Sequence, residues 1–143
     1  MVAWLQQARE LGLVVAVASS SPRSWVSGHL ERLGLLDRFE RLHCREDVER
    51  AKPAPDLYLA AAHAAGVSPA DCLAVEDSPN GVLAARRAGF YTVVVPTPLT
   101  AGLPLEAADE RLASLAAAPL RAVLTRARFR RPGPGSVPPP ASR

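Results

Sequence analysis

Leu73-Ala74-Val75-Glu76-Asp77-Ser78-Pro79-Asn80-Gly81 is the stretch on which the fold turns. It opens within an apolar run from Cys72 to Val75, the pattern of a strand covered on both faces. It closes with Ser78-Pro79: a hydroxyl that can accept from free helix N–H groups, then the residue best suited to a first helical turn. The helix so begun is predicted to run to Ala88 and stop at Gly89. A further apolar run, Phe90 to Val95, ends at Pro96 and Pro98. Strand, helix and strand joined by short turns form the unit of a parallel sheet. Glu76 and Asp77 stand at the joint, just past the end of the first of these strands.

The same alternation continues on both sides. Trp4, Leu5, Ala8 and Leu11 share one face at helical spacing, predicting a helix over residues 3–11 stopped by Gly12. Leu13 to Ala18 is continuous and rich in β-branched residues, as expected of a strand covered on both faces. Ser21 as N-cap and Pro22 in the first turn open a helix to about Leu33, with Trp25, Val26, His29, Leu30 and Leu33 inward. Phe39 to Cys44 reads as a short strand and Glu46 to Ala51 as a charged loop. Pro55-Asp56 begins a helix ending at Ala65 and Gly66. Leu99 to Leu105 reads as loop, and Leu112 to Arg128 as mostly helix, with Pro119 interrupting it or marking its start. The expected fold is α/β, a doubly wound parallel sheet over residues 1–128. A tail rich in Pro, Gly and Arg, residues 129–143, is expected to be disordered.

Composition narrows the function classes. At 143 residues the chain makes one domain, and 48% hydrophobic with 22% charged residues is ordinary for a soluble globular chain. No apolar run can span a bilayer, and the N-terminus lacks a secretory pattern, so the expected location is the cytoplasm. The net charge of +3 conceals an asymmetry. Seven of the seventeen basic groups fall from Arg111 onward, where there is no acid. The ten that remain face fourteen acids, a balance of −4. No nucleic-acid motif accompanies the basic tail, so neither nucleic acid nor membrane is an expected partner. Cys44 and Cys72 form no CxxC and read as reduced thiols. His29, His43 and His63 are scattered, without metal-ligand spacing.

Lys52 is the single lysine, against sixteen arginines, in Ala51-Lys52-Pro53-Ala54-Pro55-Asp56. Keeping a lysine there suggests a need for a compact ammonium rather than a planar fork. Ser19 and Ser20 follow one strand, Glu76 and Asp77 follow another, and Lys52 precedes a helix. In open parallel sheets, ligands bind at the C-terminal strand ends. A hydroxyl, an ammonium and two carboxylates on that one edge suit a phosphate with a magnesium ion. Each also has a plainer reading: a turn hydroxyl, a solvated cation, helix-start acids. Asp56 is best explained as a helix-start acid.

These segments resemble the haloacid dehalogenase-like superfamily, most closely the branch of β-phosphoglucomutase and phosphoglycolate phosphatase. The likeness runs from about Trp4 to Ser114. It rests on Val17-Ala18-Ser19-Ser20-Ser21, on Lys52-Pro53-Ala54-Pro55-Asp56, and on Val75-Glu76-Asp77-Ser78 followed by Asn80-Gly81. The resemblance implies a magnesium-dependent phosphohydrolase or phosphomutase that passes a phosphoryl group through an aspartyl-phosphate. The substrate class would be a small phosphorylated metabolite. By the same resemblance Ser19 and Lys52 are the catalytic pair, and Ser19, Ser20 and Lys52 bind the phosphoryl oxygens. Asp77 holds magnesium, directly or through water, with Glu76 supporting it.

One block of the family is not found. No Asp-x-Asp occurs anywhere in the sequence; the nearest pattern, Asp47-x-Glu49, has no apolar strand before it. No segment matches the family's cap domain. The expectation is therefore an incomplete core that lacks the central, nucleophile-bearing strand and has no turnover by itself. It would be a truncated gene model, a fragment, or a chain that needs its missing part. Two strands would face each other across an empty slot, closing up or leaving backbone groups unpaired. Two other readings stand beside this one: a non-catalytic module binding phosphate or a protein partner, and a receiver-like signalling domain. Oligomeric state is not legible in the sequence.

Overall fold

The computed structural model describes residues 1–129. All but the first residue of the expected disordered tail lies outside that range. Helix α1 spans Val2–Glu10, strand β1 Ala16–Ala18, helix α2 Arg23–Arg32 and strand β2 Arg41–His43. Then come α3 (Asp56–Ala65), β3 (Leu73–Glu76), α4 (Pro79–Ala88), β4 (Tyr91–Val94), β5 (Glu110–Arg111) and α5 (Leu120–Phe129).

Every strand pairing is parallel. The strands fall into two sheets, β1-β2 and β3-β4-β5, with no ladder between them among the described residues. The expected interruption of the sheet is thus present between β1 and β3. The strands flanking it have not closed up.

Helices cover both faces, as a doubly wound fold requires. On one face, Trp4 and Ala8 of α1 and Leu120, Val123 and Ala127 of α5 pack on Tyr91 and Val93. Trp4 Nε1 donates to Ala118 O at 2.9 Å, so the indole N–H is satisfied where the ring is buried. On the other face, Tyr58 and Ala62 of α3 meet Ala84, Ala85 and Ala88 of α4 and Phe90. The alanines let these two helices approach closely. β1 and β2 have a separate small core, with Val17 and Leu42 packed on Val26, Leu30, Leu35 and Cys44. Val15 and Ala18 tie β1 to the two larger clusters through side chains.

The 73–89 stretch forms as its sequence demands. Ser78 Oγ accepts from Gly81 N–H at 3.2 Å, Pro79 occupies the first turn, and Gly89 ends α4 at φ 88°.

Elsewhere the structure corrects the expectations. Leu13 to Ala18 is not covered on both faces: only Ala16–Ala18 is strand, and Leu13 and Val14 are exposed. The cause is that β1 has one neighbour instead of two. On α2 only Val26 and Leu30 are buried; Trp25 and Leu33 are exposed, and Trp25 stacks on His29 at 5.2 Å. The buried stripe of that helix is centred on the arc facing Cys44, narrower than the apolar arc of the sequence. Pro22, not Ser21, occupies the α2 N-cap. Pro119 marks the start of α5 rather than a break in it, and the two-residue β5 was not foreseen. Among the described residues no helix is long and apolar enough to cross a membrane.

Candidate functional site

The C-terminal ends of β1 and β3 open onto one cleft of about 580 Å³. Ser19 and Ser20 line it from β1, Glu76 and Asp77 from β3, and Lys52 from the loop ahead of α3. All five residues singled out in the sequence for phosphate or metal therefore meet at one rim.

Each is fixed by its local structure. Ser19 continues the β1–β2 ladder, its N–H donating to His43 O at 2.9 Å. Its Oγ accepts from Ser21 N–H at 3.1 Å, a turn role that leaves the O–H available as a donor. Ser20 Oγ accepts from Lys52 N–H at 3.3 Å and so tethers the lysine loop to the β1 end. Arg87 of α4 holds the same loop from the far side, donating to Pro53 O at 2.9 Å. Asp56 accepts two hydrogen bonds from Arg50, at 2.9 and 3.1 Å, and takes no part in the cleft.

At the centre is a buried ionic cluster. The Lys52 ammonium and the Tyr58 hydroxyl both donate to Glu76 Oε1. Lys52 Nζ also lies 3.4 Å from Tyr58 Oη and 4.9 Å from the ring centroid. The side chains of Lys52 and Glu76 are 14% and 6% exposed. A carboxylate so enclosed needs donors at close range, and here it has two. Burial, then the Glu76 charge, holds the Tyr58 phenol far above its usual titration range, so it stays a donor.

Glu76 also requires Gly81. A Cβ at residue 81 would overlap the Glu76 carboxylate, so the backbone of the first α4 turn approaches where no side chain fits. That turn carries the positive end of the helix dipole, which favours the anion.

Asp77 is exposed, and among the described residues no hydrogen bond or ion pair engages its carboxylate. Sequence reasoning paired Glu76 with Asp77 at a metal. In the structure Glu76 is turned to Lys52 and Tyr58, and Asp77 is the carboxylate left to the cleft. No group of three or more His, Cys, Asp or Glu side chains able to hold a metal occurs among the described residues. Asp77 fits as one oxygen ligand, fewer than magnesium requires.

Tyr58 and Gly81 were missed in the sequence, and each had left a signal. A tyrosine on the buried face of a helix must find a partner for its hydroxyl. A glycine inside a helix is costly unless something approaches it closely.

A second polar group lies below the β2 end. Asp47 Oδ2 accepts from Cys44 N–H at 2.7 Å and pairs with Arg23 at 2.5 Å. The Cys44 hydrogen bond, with help from Arg23, draws the Asp47 carboxyl below its usual range. Burial pushes the Cys44 thiol up and the neighbouring His43 imidazole down.

Comparison with known proteins bears on what this cleft is. Residues 1–89 match the family model of haloacid dehalogenase-like hydrolases. The protein YhcW of Bacillus subtilis (strain 168) is 54% identical over 114 residues, which is 80% of this chain and 52% of that protein. Hexitol phosphatase B of Escherichia coli (strain K12) is 39% identical over 75% of this chain and 49% of its own length. The crystal structure of CbbY from Rhodobacter sphaeroides in complex with phosphate superposes with a TM-score of 0.77 at 30% identity. That match covers 80% of this chain and 52% of CbbY. A second crystal structure of CbbY holds xylulose-(1,5)bisphosphate. The chain spans about half the length of the curated relatives it matches.

Proposed function

The chain belongs to the haloacid dehalogenase-like hydrolase family, in its phosphatase and phosphomutase branch, and from that premise we propose that it forms the phosphate-gripping part of a phosphohydrolase or phosphomutase core. The substrate is a small phosphorylated metabolite, in keeping with the phosphate and the sugar bisphosphate held by CbbY. The observation that carries this reading is the meeting of Ser19, Lys52 and Asp77 on one cleft.

The Lys52 ammonium supplies the positive charge for the phosphoryl oxygens. The Ser19 hydroxyl donates to one of them. Ser20 sets the Lys52 backbone at the right height. The attacking carboxylate of the expected aspartyl-phosphate comes from outside these 143 residues, since they contain no Asp-x-Asp. Magnesium in this family offsets charge on the transferring oxygens. Asp77 would supply one ligand to it and the rest would come from elsewhere, so the chemistry assigned to this chain is anion binding.

Calorimetric titration with inorganic phosphate tests the reading. The 143-residue chain should bind, and Lys52→Ala should weaken binding at least tenfold, about 1.4 kcal/mol. Binding that survives both Lys52→Ala and Ser19→Ala would refute it. A generic phosphomonoester with magnesium should not be turned over by the chain alone. Robust turnover abolished by Asp77→Ala would overturn the assignment of the nucleophile to another segment. A second reading, a non-catalytic phosphate- or partner-binding module, is favoured by the same lack of Asp-x-Asp. It would be chosen if phosphate binds but no longer form of the protein turns over.

A further inference from the structure

We propose that Tyr58 is a positioning residue for Lys52: its hydroxyl keeps Glu76 hydrogen-bonded when the ammonium turns from that carboxylate to an anion in the cleft. This inference rests on the anion-binding reading above and adds a residue and a motion to it.

The geometry is one of two donors on one oxygen. Lys52 and Tyr58 both reach Glu76 Oε1, while the other carboxylate oxygen lies against the backbone of Gly81. An arriving phosphate competes with Glu76 for the ammonium. Were Lys52 the sole donor, its departure would strand a buried charge, and the anion would have to overcome that penalty. With Tyr58 in place, Glu76 keeps a donor and the favourable end of α4.

The two donors differ in freedom. Tyr58 is 6% exposed and meets Phe90 edge-on, centroids 5.1 Å apart, so its hydroxyl has no second place to go. Lys52 has a flexible four-carbon stem, its Nζ sits over the Tyr58 ring, and the residue lines the cleft. The ammonium can turn toward the cleft and keep its contact with the ring face. The fixed phenol and the mobile ammonium thus have separate tasks on the same carboxylate.

The test is a set of variants of the full chain read by inorganic-phosphate calorimetry. Tyr58→Phe should weaken phosphate binding about tenfold while the melting temperature moves by only a few degrees. In the Glu76→Gln background the same change should have no effect, because no buried charge remains to be held. Wild-type affinity in Tyr58→Phe, or an equal loss in the Glu76→Gln background, would overturn the proposal in favour of plain packing. Lys52→Ala separates the two claims. If it binds phosphate as wild type does, the anion reading fails whatever Tyr58 does.

An arm that needs no anion uses the uniqueness of Lys52. Reductive methylation with labelled formaldehyde marks Lys52 and the chain's α-amino group, two distinguishable NMR signals. Tyr58→Phe should slow Lys52 methylation several-fold, since Glu76 then holds the ammonium harder, and Glu76→Gln should restore it. An unchanged rate in Tyr58→Phe would overturn the proposal even if phosphate bound nowhere.

Discussion

Val93 and Val75 stand opposite one another in the β3–β4 ladder, yet Val93 is fully buried and Val75 is 43% exposed. The residue type, strand direction and register are the same. The difference lies in the neighbours. β4 has a strand on each side and helices over both faces, and all four of its residues are buried. β3 has a strand on one side only, and its other flank looks across the cleft to β1, which is equally one-sided. A continuous sheet builds the core. Where the sheet is interrupted, the strand ends instead supply polar groups to a common opening. The part of the molecule least like a finished fold is therefore the part that gathers the polar groups.

The sharpest way to break that comparison is to place one charge at each valine. Val93→Asp should cost about 3–5 kcal/mol or prevent folding, because the carboxylate would be buried unpaired. Val75→Asp should cost under about 1 kcal/mol, since water reaches it from the cleft. Urea unfolding of both variants is the measurement. Equal losses would mean that the cleft is not open to solvent in solution.

A glycine pair sharpens the same point at smaller scale. Gly81→Ala should destabilise by about 1–3 kcal/mol, because the new methyl collides with Glu76. Gly28→Ala, inside α2 with open space around it, should instead stabilise by about 0.5–1 kcal/mol. Thermal melts of the two variants check the signs. Ser78→Ala removes the α4 cap and should cost about 1 kcal/mol by the same measurement.

Acid should separate the two sheets. His43, at the end of β2, has a folded pKa pulled below its usual value by burial. The unfolded state then binds more protons, so stability falls as pH drops through the usual histidine range. The Asp47 carboxyl, held below its usual value, adds a second loss at lower pH still, as it takes up its proton. Amide protection factors, corrected for the intrinsic exchange rate at each pH, should therefore fall between pH 7.5 and 5.5 at Val17 and Leu42 before they do at Val93. His43→Gln should flatten that dependence. An equal fall in protection in both sheets would place the acid-sensitive group elsewhere.

How much of this was legible in the sequence follows from which forces are local. The 73–89 stretch was readable almost to the residue, because cap, proline, apolar run and C-terminal glycine act within one turn of where they stand. So was α3, from Asp56 to Gly66. The meeting of Ser19, Lys52, Glu76 and Asp77 was readable too, because parallel strand ends share an edge. Exposure at Leu13, Val14, Trp25 and Leu33 was not, since an apolar side chain carries no record of whether a neighbour is present to cover it. Nor was the division of labour between Glu76 and Asp77. Adjacent acids look alike in a sequence, and only the positions of Tyr58, Lys52 and Gly81 give one of them a counter-ion and leave the other to the cleft.

The central claim is that one rim gathers groups from three distant parts of the chain around a single anion. A nitrogen–proton NMR titration of the 143-residue chain with inorganic phosphate tests it most directly. The account predicts that amide signals of Ser19 to Ser21, of Lys52 and of Asp77, Ser78, Asn80 and Gly81 shift together along one binding curve, while those of β4 stay still. Shifts confined to one of these segments, or scattered over the surface with unequal curves, would contradict it.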